Sequence, residues 1–218
     1  MSSEKVAMPA AKESESLQTQ RRYDRQASLF DVTEAPVEAL LFRRWRRRLW
    51  SQVKGDRVLE VGVGTGKNLS HHPANVRVVG VDLSPEMLRR ARAKVDLQGR
   101  QTDLILADAH HLPFRDGVFD EAAATFVFCS VPDPVAGLRE VARVSTGRVH
   151  LMEHVRSANP VIGRIMDLLN PITVRLLGAN INRNTVENVR KAGVERDDVE
   201  SKMFGIVKFI RGTAPQQA

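Results

Sequence analysis

The stretch Glu60-Val-Gly-Val-Gly-Thr-Gly66 decides the fold of this chain. It follows directly on a short apolar run that begins at Arg57. Glycines after a strand permit a tight turn and allow a ligand to lie against the backbone. Asp82 closes the next apolar run, twenty residues after Gly62, where a carboxylate can accept hydrogen bonds from both ribose hydroxyls. The stretch therefore predicts a site for a nucleoside-linked ligand.

The glycine spacing departs from the fingerprint of dinucleotide-binding proteins, which is G-x-G-x-x-G. Here the third glycine, Gly66, comes one residue early, and Lys67 occupies the last position of that fingerprint. The turn therefore need not cradle a pyrophosphate and suits the amino acid end of a ligand better. This spacing disfavours a dehydrogenase that uses a nicotinamide cofactor.

Apolar runs alternate with helical segments along most of the chain, which predicts a parallel sheet with helices on both faces. Ser84-Pro85-Glu86 has the residues of a helix start, and Asp133-Pro134 and Asn184 are further candidate caps. Seven strands are expected, over residues 57–61, 77–81, 102–107, 121–128, 148–152, 198–204 and 206–210.

The chain divides into four predicted segments. Residues 1–20 are rich in Ser, Glu, Gln and Ala without periodicity, which predicts a disordered tail. Residues 21–54 form an N-terminal arm with an amphipathic helix from Pro36, in its first turn, to Val53. The α/β domain follows over 55–212, with an insertion at about 155–184 that we predict as two short helices, and 213–218 form a second tail.

The composition limits which partners and which cellular compartment we expect. The formal net charge of the 218-residue chain is +7, which favours anionic partners without choosing among them. Aromatic residues make up only 5%, and no base-stacking surface is recognisable, so nucleic acid is not an expected partner. The single cysteine, Cys129, and the absence of a signal-peptide pattern or a spanning apolar run predict a cytoplasmic protein, peripheral on the inner face of the membrane if it binds lipid.

The chain resembles the class I S-adenosylmethionine-dependent methyltransferases, which have a Rossmann-like fold. The resemblance rests on the glycine stretch, Val81-Asp-Leu-Ser-Pro85, Ala107-Asp-Ala109, Leu112-Pro-Phe114 and Phe119-Asp120. It implies that the glycine turn holds the methionine part of S-adenosylmethionine, that Asp82 binds the ribose, and that Asp108 reaches the adenine amino group. The cofactor contacts expected from it are Glu60, Gly62, Gly64, Gly66, Asp82, Leu83, Met87, Asp108, Ala109 and Phe126, and the expected product is S-adenosylhomocysteine.

More narrowly, the chain is similar to the branch (methyltransferase type 11) of bacterial phospholipid N-methyltransferases and quinone C-methyltransferases. This likeness rests on Tyr23-Asp-Arg25, Thr125-Phe-Val-Phe-Cys-Ser-Val-Pro132, Glu153-His-Val-Arg156 and Gly178-Ala-Asn-Ile-Asn-Arg183. One departure is Ser145-Thr-Gly147, where relatives carry a Lys/Arg-Pro-Gly-Gly turn before the fifth strand. The placement of the strand end at Glu153 and His154 depends on this shorter connection.

Tyr23, Asp24, Glu153 and His154 are the candidate catalytic residues. An amine acceptor must lose a proton, which His154 is suited to take near neutral pH, and Tyr23 could stabilise a methylated cation through its ring. Arg183 and Arg156 are candidates for a substrate phosphate, and no metal site is expected. The alternatives are that Asp108 only caps a segment, that Tyr23 is a packing anchor, and that Glu153 and His154 form a structural pair.

Three functions remain open at this point. The first is N-methylation of phosphatidylethanolamine at a membrane surface, the second is methylation of a quinone, thiol or other small apolar acceptor, and the third is a non-catalytic cofactor-binding module. The arginine-rich 36–53 helix has two interpretations: Phe42, Trp45 and Trp50 enter an anionic membrane surface, or the helix packs on its own domain. The apolar insertion could contact lipid, cover an apolar substrate or form a dimer contact, and the oligomeric state stays open.

Overall fold

The computed structural model describes residues 10–98 and 102–215, and these form one α/β unit around a seven-stranded sheet. The helices are α1 (Ala10–Val37), α2 (Arg43–Trp50), α3 (Pro85–Gln98), α4 (Pro134–Val144), α5 (Pro160–Leu177) and α6 (Thr185–Lys191). The strands are β1 (Arg57–Val61), β2 (Arg77–Asp82), β3 (Thr102–Leu106), β4 (Glu121–Thr125), β5 (Arg148–His154), β6 (Glu195–Lys202) and β7 (Val207–Thr213). Short helical turns lie at Glu38–Phe42, Leu69–His71 and Met203–Gly205.

The sheet has the order β3-β2-β1-β4-β5-β7-β6, and its first five strands in sequence run parallel. Only β7 is antiparallel to its neighbours, because it enters between β5 and β6. The predicted seven-stranded, mostly parallel sheet is confirmed. Strand order reverses between β1 and β4, and the crevice outside the carboxyl ends of strands at such a point is where open α/β sheets bind ligands.

Two apolar layers cover the faces of the sheet. On one face, side chains of α4 and α6 pack on Ala122 and Ala124 of β4 and on Leu59 and Leu151. On the other face, Leu49 and Trp50 of α2 pack against Val58 and Met152. The sheet is therefore buried on both sides, which explains why its central strands read as uninterrupted apolar runs.

The N-terminal region differs from its predicted organisation. Residues 10–20, assigned to a disordered tail, belong to α1, and Ser16 is buried; residues 1–9 lie outside the described part of the chain. The single helix predicted over 36–53 is also wrong. Pro36 lies in the last turn of α1, and a π-helical turn separates it from α2, which ends at Trp50. Proline lacks the N–H of a regular helix, so a change of helical geometry beside it is expected.

The arginine-rich helix α2 uses its apolar side for internal packing. Phe42, Leu49 and Trp50 are buried, and Trp45 packs edge-on against Phe209. The expectation that Phe42, Trp45 and Trp50 enter a lipid surface is therefore wrong, since these rings already contribute to the domain core. The exposed remainder of the helix is its basic face, formed by Arg43, Arg44, Arg47 and Arg48.

The insertion forms one helix, α5, where two short helices were predicted. The Asn159 side chain caps its first turn by accepting hydrogen bonds from two backbone N–H groups, and Gly178 ends it in the left-handed region with a φ of 76°. Pro171 lies inside the helix and removes one N–H donor. The helix continues through Pro171 because both sides of the proline are held. Before it, Gly163 and Met166 are buried, and directly beside it Asn170 hydrogen-bonds to Asn180 and Ile181.

The carboxyl-terminal strands are shifted from their predicted bounds. β6 begins three residues earlier than expected, at Glu195, and β7 extends to Thr213. Ala214 is buried, and its N–H bonds to the carbonyl oxygen of Gly147, so the predicted tail does not begin at 213; residues 216–218 lie outside the described part of the chain. The short Ser145–Gly147 connection leaves β5 in place, with His154 as its last residue.

Candidate active site

The glycine turn and Asp82 meet at the carboxyl ends of β1 and β2. Gly62, Gly64 and Gly66 all have positive φ angles, between 56° and 80°, which L side chains rarely adopt. The N–H of Gly64 donates to Asp82 Oδ2 at 2.8 Å, and the N–H of Ser84 donates to Asp82 Oδ1 at 2.9 Å. Asp82 therefore links the glycine turn to the start of α3, and each of its oxygens, which already accepts one backbone N–H, keeps a second lone pair as an acceptor.

The residues of this turn fit the amino acid and ribose parts of the cofactor that the resemblance implies. A Cβ atom placed on Gly64 would meet no atom within 4 Å, so the backbone there faces open space. Burial raises the pKa of Asp82 to about 6, although backbone N–H groups of Ser84 and Gly64 lower it. A desolvated carboxylate beside an open glycine turn is a suitable acceptor for two neighbouring hydroxyl groups.

Glu60 lies behind the turn in a buried polar network. Asn68 Nδ2 donates to Glu60 Oε1 at 2.6 Å, and His72 hydrogen-bonds to Glu60 Oε2 at 2.9 Å. The network continues to the N-terminal region, because the Arg46 guanidinium donates to Asn68, to Thr125 at 2.7 Å and to Glu38. Both oxygens of Glu60 are occupied, so its geometry is that of a residue that positions the turn.

The side expected to hold the adenine is built by β2, β3 and their following segments. Met87 is buried, and Leu83 and Ala109 are partly buried on this side. The Asp108 carboxylate accepts hydrogen bonds from the side chain and the backbone N–H of His110, at 2.7 and 2.9 Å. Burial raises the pKa of Asp108, but these hydrogen bonds outweigh it and hold the pKa at about 2. Asp108 is therefore an ionised acceptor at neutral pH.

Helix α1 lies across the carboxyl ends of three strands, which the sequence analysis did not predict. The Asp24 carboxylate accepts hydrogen bonds from Ser84 Oγ and from the N–H of Glu86, at the start of α3. The Asp31 carboxylate accepts one from Thr65, inside the glycine turn, and pairs with Lys94 at 2.7 Å. These contacts hold α1 over the glycine turn and the start of α3, and the buried Ala27 adds apolar packing on the same helix.

The same helix reaches the loop that follows β4. The Tyr23 hydroxyl lies 2.5 Å from Ser130 Oγ, and the side chain of Arg183 donates to the carbonyl oxygen of the adjacent Cys129 at 3.2 Å. Asn180 donates to the same carbonyl oxygen through its backbone N–H. Cys129 itself is buried, and burial raises the pKa of its thiol to about 12, as expected for a small packing residue rather than a nucleophile.

Glu153 holds this loop from inside the domain. Its side chain is fully buried, and Oε1 accepts hydrogen bonds from the N–H groups of Val127 and Phe128 at 2.8 and 3.1 Å. Burial raises the pKa of Glu153 to about 7, and Oε2 has no hydrogen-bond partner among the described residues. Glu153 therefore positions the backbone of this loop.

His154 stacks on Phe126, whose ring centroid lies 4.4 Å away at an interplanar angle of 25°. Phe42 adds a third ring, 4.6 Å from Phe126. Burial lowers the pKa of His154 to about 4, so the imidazole is neutral at physiological pH. Phe126 has a φ of 59°, a region that costs a non-glycine residue roughly 1–3 kcal/mol and that recurs at functional sites.

The four predicted catalytic residues do not form one cluster. Tyr23 contacts the loop after β4, whereas Asp24 contacts the start of α3 on the cofactor side. Glu153 and His154 are neighbours, but one is buried under the loop and the other stacks on an aromatic ring. Of the two phosphate candidates, Arg183 lies at the loop, and Arg156 makes a bidentate pair with Asp167 on α5.

Two negative findings apply to residues 10–98 and 102–215. Within these ranges no three His, Cys, Asp or Glu side chains group closely enough to hold a metal ion. Within the same ranges, no helix combines the length and the apolar character needed to cross a bilayer.

Comparisons with known proteins identify the family of the chain. Residues 59–151 match the family model described as a methyltransferase domain. The chain is 44% identical over 115 residues to a phosphatidylethanolamine N-methyltransferase of Cereibacter sphaeroides, across 50% of this chain and 57% of that protein. It is 32% identical over 149 residues to a demethylmenaquinone methyltransferase of Thermus thermophilus, across 65% of this chain and 68% of that protein. The first of these alignments thus spans little more than half of the relative's length.

A solved structure extends the comparison to the fold. Geranyl diphosphate C-methyltransferase from Streptomyces coelicolor A3(2), in complex with Mg2+, geranyl diphosphate and S-adenosyl-L-homocysteine, superposes with a TM-score of 0.74 at 12% identity, over 95% of this chain and 100% of that one.

Together, the sheet order, the glycine turn with Asp82 and these matches identify the family. The chain belongs to the class I S-adenosylmethionine-dependent methyltransferases, in the group that shares the methyltransferase domain of residues 59–151. Its cofactor is S-adenosylmethionine, and the resemblance recognised in the sequence is confirmed.

Proposed function

We propose that the protein N-methylates the amine head group of a phospholipid, phosphatidylethanolamine, at a membrane surface. The observation that carries the proposal is the convergence of Tyr23 and Arg183 on the adjacent residues Ser130 and Cys129. A hydroxyl pair beside a guanidinium offers hydrogen-bond partners for the amine and a cation for the phosphate of one zwitterionic head group. The relative from Cereibacter sphaeroides, named for this activity, supports the same substrate class.

The protein's part in the transfer is binding, orientation and the exclusion of water. Bound S-adenosylmethionine supplies an electrophilic methyl group. Glu153 fixes the 127–128 backbone, and α1 covers the cofactor side, so the acceptor approaches from the side of Ser130. Burial lowers the pKa of His154 to about 4, so this imidazole is too weak a base for the role of proton acceptor that the sequence predicted. In this proposal the amine loses its proton to solvent and reacts in its neutral form, and His154 packs beside the site against Phe126.

A quinone-type ring carbon is the second candidate acceptor. The observation that favours it is the stack of Phe42, Phe126 and His154, which presents aromatic faces beside the end of β4. The relative from Thermus thermophilus, named a demethylmenaquinone methyltransferase, agrees with this alternative. A quinone ring carries no phosphate, so Arg183 would have no charged partner to bind on such an acceptor.

The test compares methyl transfer from radiolabelled S-adenosylmethionine to three kinds of vesicle: with phosphatidylethanolamine, with phosphatidylcholine only, and with a demethylated quinone in phosphatidylcholine. Label in the lipid only when the primary amine is present supports the proposal. Label in the quinone alone would replace it with the second candidate.

Two arginine variants then examine the head-group contact. Arg183→Gln should raise KM for phosphatidylethanolamine roughly tenfold, because a charge-assisted phosphate contact is lost. Arg156→Gln is the matched control, since Arg156 is already paired with Asp167 and should leave KM unchanged. Equal effects of the two substitutions would contradict a phosphate role for Arg183. Cofactor affinity, measured by calorimetry, should stay unchanged in both variants.

A further inference from the structure

Helix α5 exposes a continuous apolar stripe. Six large aliphatic side chains recur along it at spacings of one to four residues, with between 44% and 78% of each side chain exposed. They are Val161, Ile165, Leu168, Leu169, Ile172 and Leu176, which we call the α5 stripe. At 3.6 residues per turn these positions share one face of the helix, and the opposite face packs on the domain through Gly163 and Met166.

The edge of the α5 stripe is cationic. Arg164 and Arg175 are both exposed, and their helical positions place them together along one side of the stripe. An apolar face bordered by arginines is the pattern of a helix that lies in the interface of a membrane containing anionic lipid. The sequence analysis expected such a surface at the arginine-rich helix α2, but the apolar face of α2 is buried in the domain.

An exposed aromatic ring adjoins the beginning of α5. Phe204, in the turn between β6 and β7, is 84% exposed, and both Met203 and Phe204 have positive φ angles. Ser157 Oγ, three residues before α5, donates to the carbonyl oxygen of Phe204 at 2.6 Å and so ties this turn to the helix. Aromatic rings are enriched at the level of lipid head groups.

We infer that the α5 stripe, with Phe204 at one end, is the surface by which the protein docks on an anionic lipid bilayer. Both ends of α5 connect to the acceptor side: the helix begins six residues after His154, and the segment after it binds the Cys129 carbonyl oxygen through Asn180 and Arg183. A bilayer in contact with the stripe would present its head groups next to the Ser130 loop. The biological role of this docking rests on the proposed function. Docking itself can be measured without methyl transfer.

Charge favours a lipid surface over a second copy of the chain on this face. A symmetric dimer through the stripe would bring Arg164 and Arg175 of both copies to one interface, between chains that each carry a formal net charge of +7. An anionic bilayer would instead attract the same two arginines, because its head groups carry the opposite charge. The single occupant proposed is therefore lipid, and self-association is an outcome that the test detects.

The test is co-flotation of the full chain with phosphatidylcholine vesicles, with and without phosphatidylglycerol. Neither lipid carries a primary amine, so binding is scored independently of phosphatidylethanolamine methylation. The Leu168→Glu/Ile172→Glu variant should lose roughly tenfold or more in partitioning, because two exposed aliphatic side chains no longer enter the interface. The Arg164→Gln/Arg175→Gln variant should lose most of the preference for phosphatidylglycerol.

The matched control is Leu97→Glu/Leu106→Glu, which places the same charges at leucines that are 87% and 55% exposed on another part of the surface. It should float like the unmodified chain, and circular dichroism with S-adenosylhomocysteine calorimetry checks the folding of every variant.

Equal flotation of the stripe and control variants, or no flotation of the unmodified chain, would overturn the inference. So would a dimer that the stripe substitutions dissociate in analytical ultracentrifugation. Flotation of the unmodified chain that depends on the stripe, together with absent phosphatidylethanolamine methylation, would leave docking intact and reject only the proposed function.

Discussion

The carboxylate of Asp24 accepts a hydrogen bond from the hydroxyl of Ser84, although sixty residues of chain separate them. Ser84 at the same time caps α3 by accepting the N–H of Met87. Helix α1 is thereby attached to the start of α3, the helix that follows β2 and Asp82. The attachment predicts that α1 responds to changes at a single carboxylate.

Asp24→Ala should loosen α1 from the cofactor side, because both the Ser84 and the Glu86 donors lose their acceptor. Hydrogen exchange of the α1 amides should accelerate, and S-adenosylhomocysteine should dissociate faster in stopped-flow measurements. Arg25→Ala, at the exposed neighbouring position, is the control and should change neither quantity. Identical exchange in both variants would mean that Asp24 does not hold the helix.

The affinity for S-adenosylhomocysteine should depend on pH through Asp82. Burial raises the pKa of Asp82 to about 6, so the carboxylate becomes protonated as the pH falls below that value and accepts ribose hydroxyls less well. Affinity should therefore fall by up to about tenfold per pH unit below 6 and level off above it. Calorimetry between acidic and neutral pH measures this slope. Asp82→Asn should bind more weakly with a flat profile, and a sloping profile in that variant would assign the titration to another group.

Glu153 should make the folded protein less stable as the pH rises. Its pKa in the folded state, about 7, lies above the ordinary value of 4.5, so the folded protein holds the proton more tightly than the unfolded chain. The free energy of unfolding therefore falls between about pH 4.5 and 7. Glu153→Gln keeps an oxygen for the Val127 and Phe128 amides and removes the charge. Denaturation series should show a flatter profile for this variant and greater stability than the unmodified chain above pH 7; an unchanged profile would contradict the assignment.

Arg46 should contribute far more to stability than its neighbour Arg47. Arg46 is buried, and its removal leaves Glu38, Asn68 and Thr125 without their shared donor. Arg46→Met should lower the free energy of unfolding by about 3–5 kcal/mol, the usual cost of breaking a buried ionic network. The exposed Arg47→Met should stay within about 0.5 kcal/mol of the unmodified chain. Urea denaturation separates the two, and similar losses would refute the network's role.

The sheet and the glycine turn were predictable from sequence because their signals are local. The run of glycines, the acid at the end of β2 and the Ser84 cap each have a short-range physical cause, and the structure has them where the spacing predicted. Strand ends shifted by three residues at β4, which ends at Thr125, at β6 and at β7. At β6 the charged sequence Glu-Arg-Asp-Asp from Glu195 gives no apolar pattern.

The N-terminal region was not predictable for the opposite reason. Helix α1 is held by Tyr23, Asp24 and Asp31, whose partners lie between 34 and 107 residues away, and such polar contacts leave no periodic pattern. Arg46 stands among four other arginines, and only the tertiary structure distinguishes the buried one from the exposed ones. The proline in α5 predicted a break, whereas packing and hydrogen bonds on both sides of it preserve the helix.

The absence of a side chain at Gly62 has a consequence for redesign. A Cβ atom there would lie 2.3 Å from a methyl group of Val127, so the glycine turn and the loop after β4 already touch. A bulkier residue at Val127 would collide with the glycine turn, where the cofactor is expected to bind. A change in the turn would displace the loop. Substitutions meant to alter the proposed acceptor should therefore leave Val127 unchanged. The Asn180–Arg183 segment also bonds this loop, at the carbonyl oxygen of Cys129, so changes there should be checked for their effect on cofactor affinity.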